Sequence, residues 1–213
     1  STNAVVNAID GVWEVQGDRT LTSSSCGSPT FTNVGLLRKT AGTGAMTVAS
    51  CVALSNTGTL ELQSGALAVQ APAGLTNSGQ VTVGAGTTFY LAGVTLESGS
   101  TFSGTGTLRM NGTTSVTGDL TVPVPVLLEG TVTGAGKLTL AAAMTWTVGT
   151  VSLAGGLEVG AAQTLTVSTS NQHVLIGPLT NHGTVAWTDG VFYIQSTNAV
   201  VNAIDGVWEV QGD

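Results

Sequence analysis

The chain has 213 residues, of which 42% are apolar and only 8% charged, and its formal net charge is −7. Ordinary soluble domains carry about 25% charged residues. With five Lys and Arg in all, the chain lacks the basic patches that hold nucleic acid or an anionic membrane surface, and no apolar run approaches the roughly 18–20 residues of a membrane span.

The chain opens on Ser1–Asp18, STNAVVNAIDGVWEVQGD, and the same eighteen residues return without substitution at Ser196–Asp213. The period is 196 minus 1, or 195 residues. Divergent duplication would have left differences. Residues 1–195 therefore read as one full tandem repeat unit and residues 196–213 as the start of the next. Either the array is natural or the segment was duplicated to complete the fold. In both cases residue 195 leads structurally into another residue 1, as in a stacked-repeat protein.

In chain order, a shorter period appears. Ile9-Asp10-Gly11 leads into the alternating segment Val12-Trp13-Glu14-Val15. Phe31-Thr32-Asn33-Val34-Gly35, Leu54-Ser55-Asn56-Thr57-Gly58 and Leu75-Thr76-Asn77-Ser78-Gly79 repeat an Asn-x-Gly corner. Each is followed by another alternating run, such as Thr59-Leu60-Glu61-Leu62 or Gln80-Val81-Thr82-Val83. Looser copies end at Gly99 and Gly118, and a clear one, Leu179-Thr180-Asn181-His182-Gly183, comes late. The corner glycines thus follow one another at Gly11, Gly35, Gly58, Gly79, Gly99 and Gly118, and again at Gly183 and Gly206. The stretch from Gly118 to Gly183 is assigned three coils. Second runs such as Met46-Thr47-Val48, Thr88-Phe89-Tyr90-Leu91 and Thr164-Leu165-Thr166-Val167 alternate in the same way. Period-2 alternation with one apolar face predicts half-buried strands. No helical periodicity is visible. The expected fold is all-β: a parallel β-solenoid of about nine coils of roughly 20–24 residues, within the span of stacked-repeat architectures, with three short strands per coil.

Three features follow from that register. Cys26 follows Gly11, and Cys51 follows Gly35, at nearly the same interval. One coil separates them, and coils about 4.8 Å apart fall within the reach of a disulfide. Such a bond places the chain outside the reducing cytosol, extracellular or at a cell surface. The third residue after the corner glycine faces outward, which aligns Glu14, Arg38 and Glu61 as an acid–base–acid ladder. Asn33, Asn56 and Asn77 stack as an amide ladder at the corner.

The tetrad Trp13, Trp146, Trp187 and Trp208 points inward by alternation. Trp13 and Trp208 are the same position of the repeated segment. Val6, Ile9, Trp13 and Val15, with Ile204, Trp208 and Val210 of the second copy, are expected to be buried between stacked units. A free end would expose them together with an unpaired strand edge.

No catalytic constellation emerges. His173 and His182 do not form a metal-ligand spacing. Ser24, Ser25 and Ser28 lie in a Ser/Gly/Pro-rich corner, not in a nucleophile elbow. The twelve acidic residues are scattered, and Gly84-Ala85-Gly86 and Gly134-Ala135-Gly136 lack the Lys and helix of a phosphate loop. Asn111-Gly112-Thr113 matches a glycosylation sequon. Thr-x-Thr runs, such as Thr131/Thr133 and Thr164/Thr166, raise an ice-binding face, but their spacing does not repeat coil by coil. No metal and no cofactor is expected, and no enzymatic activity.

The phrases GVWEVQGDRTLTSSS, FTNVGLLRKTAGTG, LSNTGTLELQSG and LTNSGQVTVGAGTTFYLAG resemble the repeats of very large secreted bacterial β-helix proteins, the filamentous-haemagglutinin-like adhesins and autotransporter passengers. The resemblance implies a cell-surface or extracellular fibre, often adhesive and usually without catalysis; it carries over no binding residue. The expected function is a structural repeat unit of an extracellular bacterial fibre or stalk, joined head to tail to copies of itself. The alternatives are an adhesin module that binds a surface glycan or a host surface through a solenoid face and, after it, an ice-binding solenoid.

Overall fold

The computed structural model describes residues 4–24, 26–27, 29–70, 72, 74–195 and 199–212. Ser25 and Ser28 of the Ser/Gly/Pro-rich corner lie outside the described residues. Among those described are thirty strands and no helix. The strands succeed one another around three faces, so ten strands stand on each. The first face runs from Ala4–Asn7 to Val191–Ile194, and the third from Thr20–Leu21 to Val207–Val210, each as one ten-stranded sheet. The second face starts at Val12–Gln16 and ends at Val200–Asn202. Its ladder breaks between Thr101–Gly104 and Leu120–Val122 into two five-stranded sheets. All pairings are parallel. The chain is a parallel β-solenoid, as its alternation predicts.

The composition explains why the strands stack. Val, Thr and Leu alternate, so one side of each strand is apolar and the other hydroxylated. Leu60, Phe89, Leu108, Trp146 and Leu165 are fully buried in a continuous interior. On the third face one inward column passes through Leu67, Phe89, Leu108, Val126, Met144, Leu165, Val185 and Trp208. The corner glycines allow the coils to close: a Cβ on Gly58 would stand 2.2 Å from the Gly35 carbonyl oxygen beneath it.

Coil length varies more widely than the glycine spacing predicts. Thr113 pairs with Thr131, a step of 18, and Thr20 pairs with Thr47, a step of 27. The long step carries the Ser/Gly/Pro-rich corner. The short ones correct the coil count in the middle of the chain. Gly118 follows Thr113–Val116 of the first face, whereas Gly183 follows Leu179–Asn181 of the second. The stretch between these glycines holds three coils and one further face.

Candidate functional site

The two identical segments stand at opposite ends of the solenoid, and the surfaces they form are its candidate interaction sites. The corner ladder reaches the first of them. Asn7 Nδ2 donates to Asn33 Oδ1 (2.8 Å), Asn33 to Asn56 (2.7 Å) and Asn56 to Asn77 (2.6 Å). Asn77 Nδ2 then donates to Ser100 Oγ (3.0 Å), which closes the run. The ladder joins the buried Asn33, Asn56 and Asn77, and it extends at both ends beyond these three. Asn7 escapes the sequence pattern because three residues, not one, separate it from its corner glycine. Ser100 escapes it because a hydroxyl replaces the amide.

At the far end the same chemistry recurs. Asn181 Nδ2 donates to Asn202 Oδ1 (2.7 Å) and to the Val207 carbonyl oxygen (2.8 Å). Asn202 is the second copy of Asn7. In both places the Asn of the earlier coil donates to the Asn of the later one, so the ladders have one polarity.

Cys26 and Cys51 form a disulfide with a Cα separation of 4.6 Å. It joins neighbouring coils at the corner between the third and first faces. Charged rungs also link neighbouring coils. Arg38 Nε donates to Glu14 (2.8 Å), Arg109 Nε to Glu129 (2.6 Å) and Lys137 Nζ to Glu158 (2.8 Å). Glu61 stands in register with Arg38, but its carboxylate accepts from Gln63 instead (2.9 Å). Hydrogen bonds from Gln16 and then Arg38 hold the Glu14 carboxyl below its ordinary range. Lys137 is raised by its bond to Glu158.

Lys39 was not singled out by the sequence. The alternation that buries Leu37 also turns Lys39 inward, leaving it 2% exposed. Its ammonium donates to the carbonyl oxygens of Ala41 (2.7 Å) and Gly42 (3.0 Å) and pairs with Asp18 (3.2 Å). That pairing is the main cause of the lowered Asp18 pKa.

The end coils divide the expected stacking residues. Trp13 and Val15 point inward, opposite Leu37 and Lys39. Trp13 is 42% exposed at the open end and packs edge-on against Phe31, with ring centroids 5.0 Å apart. Together with Glu14, Gln16, Arg19, Thr20, Leu21 and Met46, these two residues line a cavity of about 390 Å³. Trp208 and Val210 take inward positions opposite Val185 and Trp187. Val6 and Ile9 stand outside the coil interior. Val6 pairs with the outward Thr32, as Val201 of the second copy pairs with Thr180, so Val5 and Val200 hold the inward positions. Ile9 and Ile204 project from the widened corner, which is closed by bonds from Gly11 N to Ala8 O (2.8 Å) and from Gly206 N to Ala203 O (2.9 Å). They are 76% and 107% exposed, so the register keeps both out of the coil interior.

The other three tryptophans, Trp146, Trp187 and Trp208, lie towards the second copy. Trp146 is fully buried and meets His173 and Phe192 edge-on at 5.6 and 5.7 Å, and Phe192 meets Trp208 at 6.0 Å. Beside this cluster, His182 Nδ1 lies 3.0 Å from the Asp205 carboxylate. Asp205 is the second copy of Asp10, and nothing in the sequence pairs it with a histidine.

The outer side of the first face holds a long column of hydroxyls, Thr32, Ser55, Thr76, Thr95, Ser115, Thr133 and Ser152, in continuous register. A second column, Thr113, Thr131 and Thr150, runs beside it over three coils, but two residues before Thr76 and Thr95 stand Gly74 and Gly93, so the Thr-x-Thr pairing does not continue along the face. Among the described residues no group of three or more His, Cys, Asp or Glu could hold a metal ion. Compared with family models, curated proteins and solved structures, the chain matches none. What is defined is the class, a parallel β-solenoid with the same segment at both ends.

Proposed function

We propose that this protein is the structural repeat unit of an extracellular bacterial fibre or stalk, its units joined head to tail in a tandem array. The observation that carries the reading is the recurrence of one eighteen-residue segment, in matching strand–corner–strand form, at both ends of a single continuous core. A solenoid is stabilised by contacts between neighbouring coils, so an added unit extends the rod and covers an apolar end. The disulfide supports an oxidising compartment, and the scarcity of charge supports a scaffold role without catalysis of its own. The resemblance to haemagglutinin-like and autotransporter repeats points the same way.

The test is length. Proteins of one, two and three units, imaged by electron microscopy, are expected to be rods that lengthen by about 45 Å per unit at about 4.8 Å per coil. Beads of independent domains would reject the reading. A second reading, an adhesin face for surface glycans, is favoured by the hydroxyl column of the first face. Binding on a glycan array that is lost on Thr95→Val with Ser115→Ala would support it.

A further inference from the structure

The two copies of the repeated segment do not stand on the same faces. In the first copy Ala4–Asn7 lies on the first face and Val12–Gln16 on the second. In the second copy Val200–Asn202 lies on the second face and Val207–Val210 on the third. Each strand keeps its form and its corner but has moved on by one face. One sequence period thus contains nine coils and one third of a tenth.

We infer that each unit of the array takes the next copy turned by one face, so that the three faces exchange roles along the fibre. This inference rests on the tandem-array reading above. The phase is selected by specific contacts. Asn202 needs a buried amide beside it, and Asn181 supplies one at the corner between the second and third faces. On the first face the strands at that level end in Leu175 and Ile194, which have no polar side chain to offer. A whole number of coils would set Asn202 against those residues. The turned phase also places Asp205 beside His182 and Trp208 in line with Val185 and against Phe192. The copied residues Asn7, Asp10 and Trp13 thereby gain partners in the preceding unit. Asn202 then donates to the next Asn33, as Asn7 does here.

A surface strip follows the same path. Tyr90, whose ring lies 5.4 Å beneath the Arg109 guanidinium, and Glu129, bonded to Arg109, lie along the third face. In the following unit this strip stands on the first face, and in the one after on the second. Three units restore the starting face after three times nine and a third coils, roughly 28 coils in all. The fibre therefore has no single privileged side.

Disulfide trapping tests the phase. Thr180 and Val201 are direct neighbours on the outer surface of the second face. A whole-coil phase of nine coils would instead bring Val201 to the place that Tyr193 holds on the first face, beside the outward Val174. The pairs Thr180→Cys/Val201→Cys and Val174→Cys/Val201→Cys are built into the full chain and into a two-unit chain, positions 1–195 followed by 1–213. After mild oxidation, peptide mapping is expected to show near-complete linkage of the first pair in both chains and none of the second. Linkage of the Val174 pair in a two-unit rod that is about 45 Å longer would overturn the turned phase and leave the array standing. A two-unit chain that does not lengthen would instead reject the array itself.

Discussion

Asn56 donates its side-chain amide to Asn77 over 2.6 Å, while its own side-chain oxygen accepts from Asn33 over 2.7 Å. All three are fully buried. Asn56→Ala removes both bonds at once and strands the Asn77 acceptor in the interior, while Asn33 keeps its bond to the Thr59 carbonyl oxygen (2.9 Å). A buried unsatisfied polar group costs about 1–3 kcal/mol, and the variant is expected to lose that much in denaturant unfolding. An unchanged midpoint would show that the ladder contributes nothing to stability.

The Cys26–Cys51 bond spans a sequence separation of 25. On the chain-entropy account this stabilises by about 3 kcal/mol. Without reductant, alkylation followed by intact-mass measurement is expected to label neither thiol. Reduction is expected to speed hydrogen exchange in the first two coils and to leave the coils around Trp146 unchanged. Labelling of both thiols in native protein would contradict the bond.

Acid acts on the same end. Lys39 holds the Asp18 carboxyl below its ordinary range, and Gln16 and Arg38 do so for Glu14. A depressed folded-state pKa stabilises above the unfolded value, and the contribution is lost as pH falls through the folded value. The first coils are therefore expected to loosen below about pH 4, near unperturbed carboxylate values. In Lys39→Met the Asp18 part of that dependence should shrink, leaving what the Gly44 amide and Arg19 sustain. Carboxyl titration by NMR reads both, and an ordinary Asp18 titration in the parent protein would refute the pairing.

Trp146 fills the interior at its aromatic cluster with no exposed surface. Trp146→Ala is expected to cost about 3–5 kcal/mol, the range for emptying an aromatic core site. Its indole nitrogen has no hydrogen-bond partner among the described residues, so Trp146→Phe forfeits packing volume alone and is expected to cost much less. Equal losses in the two variants would contradict a packing role for the ring.

Thermal hysteresis and ice shaping are expected to match a control protein at equal concentration. On the first face a second hydroxyl column, Thr113, Thr131 and Thr150, runs beside the first for three coils but is interrupted at Gly74 and Gly93, so the paired hydroxyls cover only part of the face. Faceted ice crystals would reverse this expectation.

Alternation of apolar and hydroxylated residues by itself determined the strands, the corners, the parallel stacking and the Cys26–Cys51 neighbourhood, because each depends on contacts one coil apart. Asn33, Asn56 and Asn77 were readable for the same reason: their spacing equals one turn. Lys39 was not, since a lysine on the apolar side of a strand looks like an exposed one until the carbonyls of Ala41 and Gly42 and the Asp18 carboxylate close around it. The pairing of His182 with Asp205 and the outward turn of Val6 also needed the register. The face on which the second copy stands was decided only by tertiary structure. An Asn-x-Gly corner is chemically the same at any of the three edges. The phase of a solenoid is the running sum of its coil lengths. Steps as unequal as Thr113 to Thr131 and Thr20 to Thr47 shift that sum by a whole face without leaving a mark in the repeated segment itself.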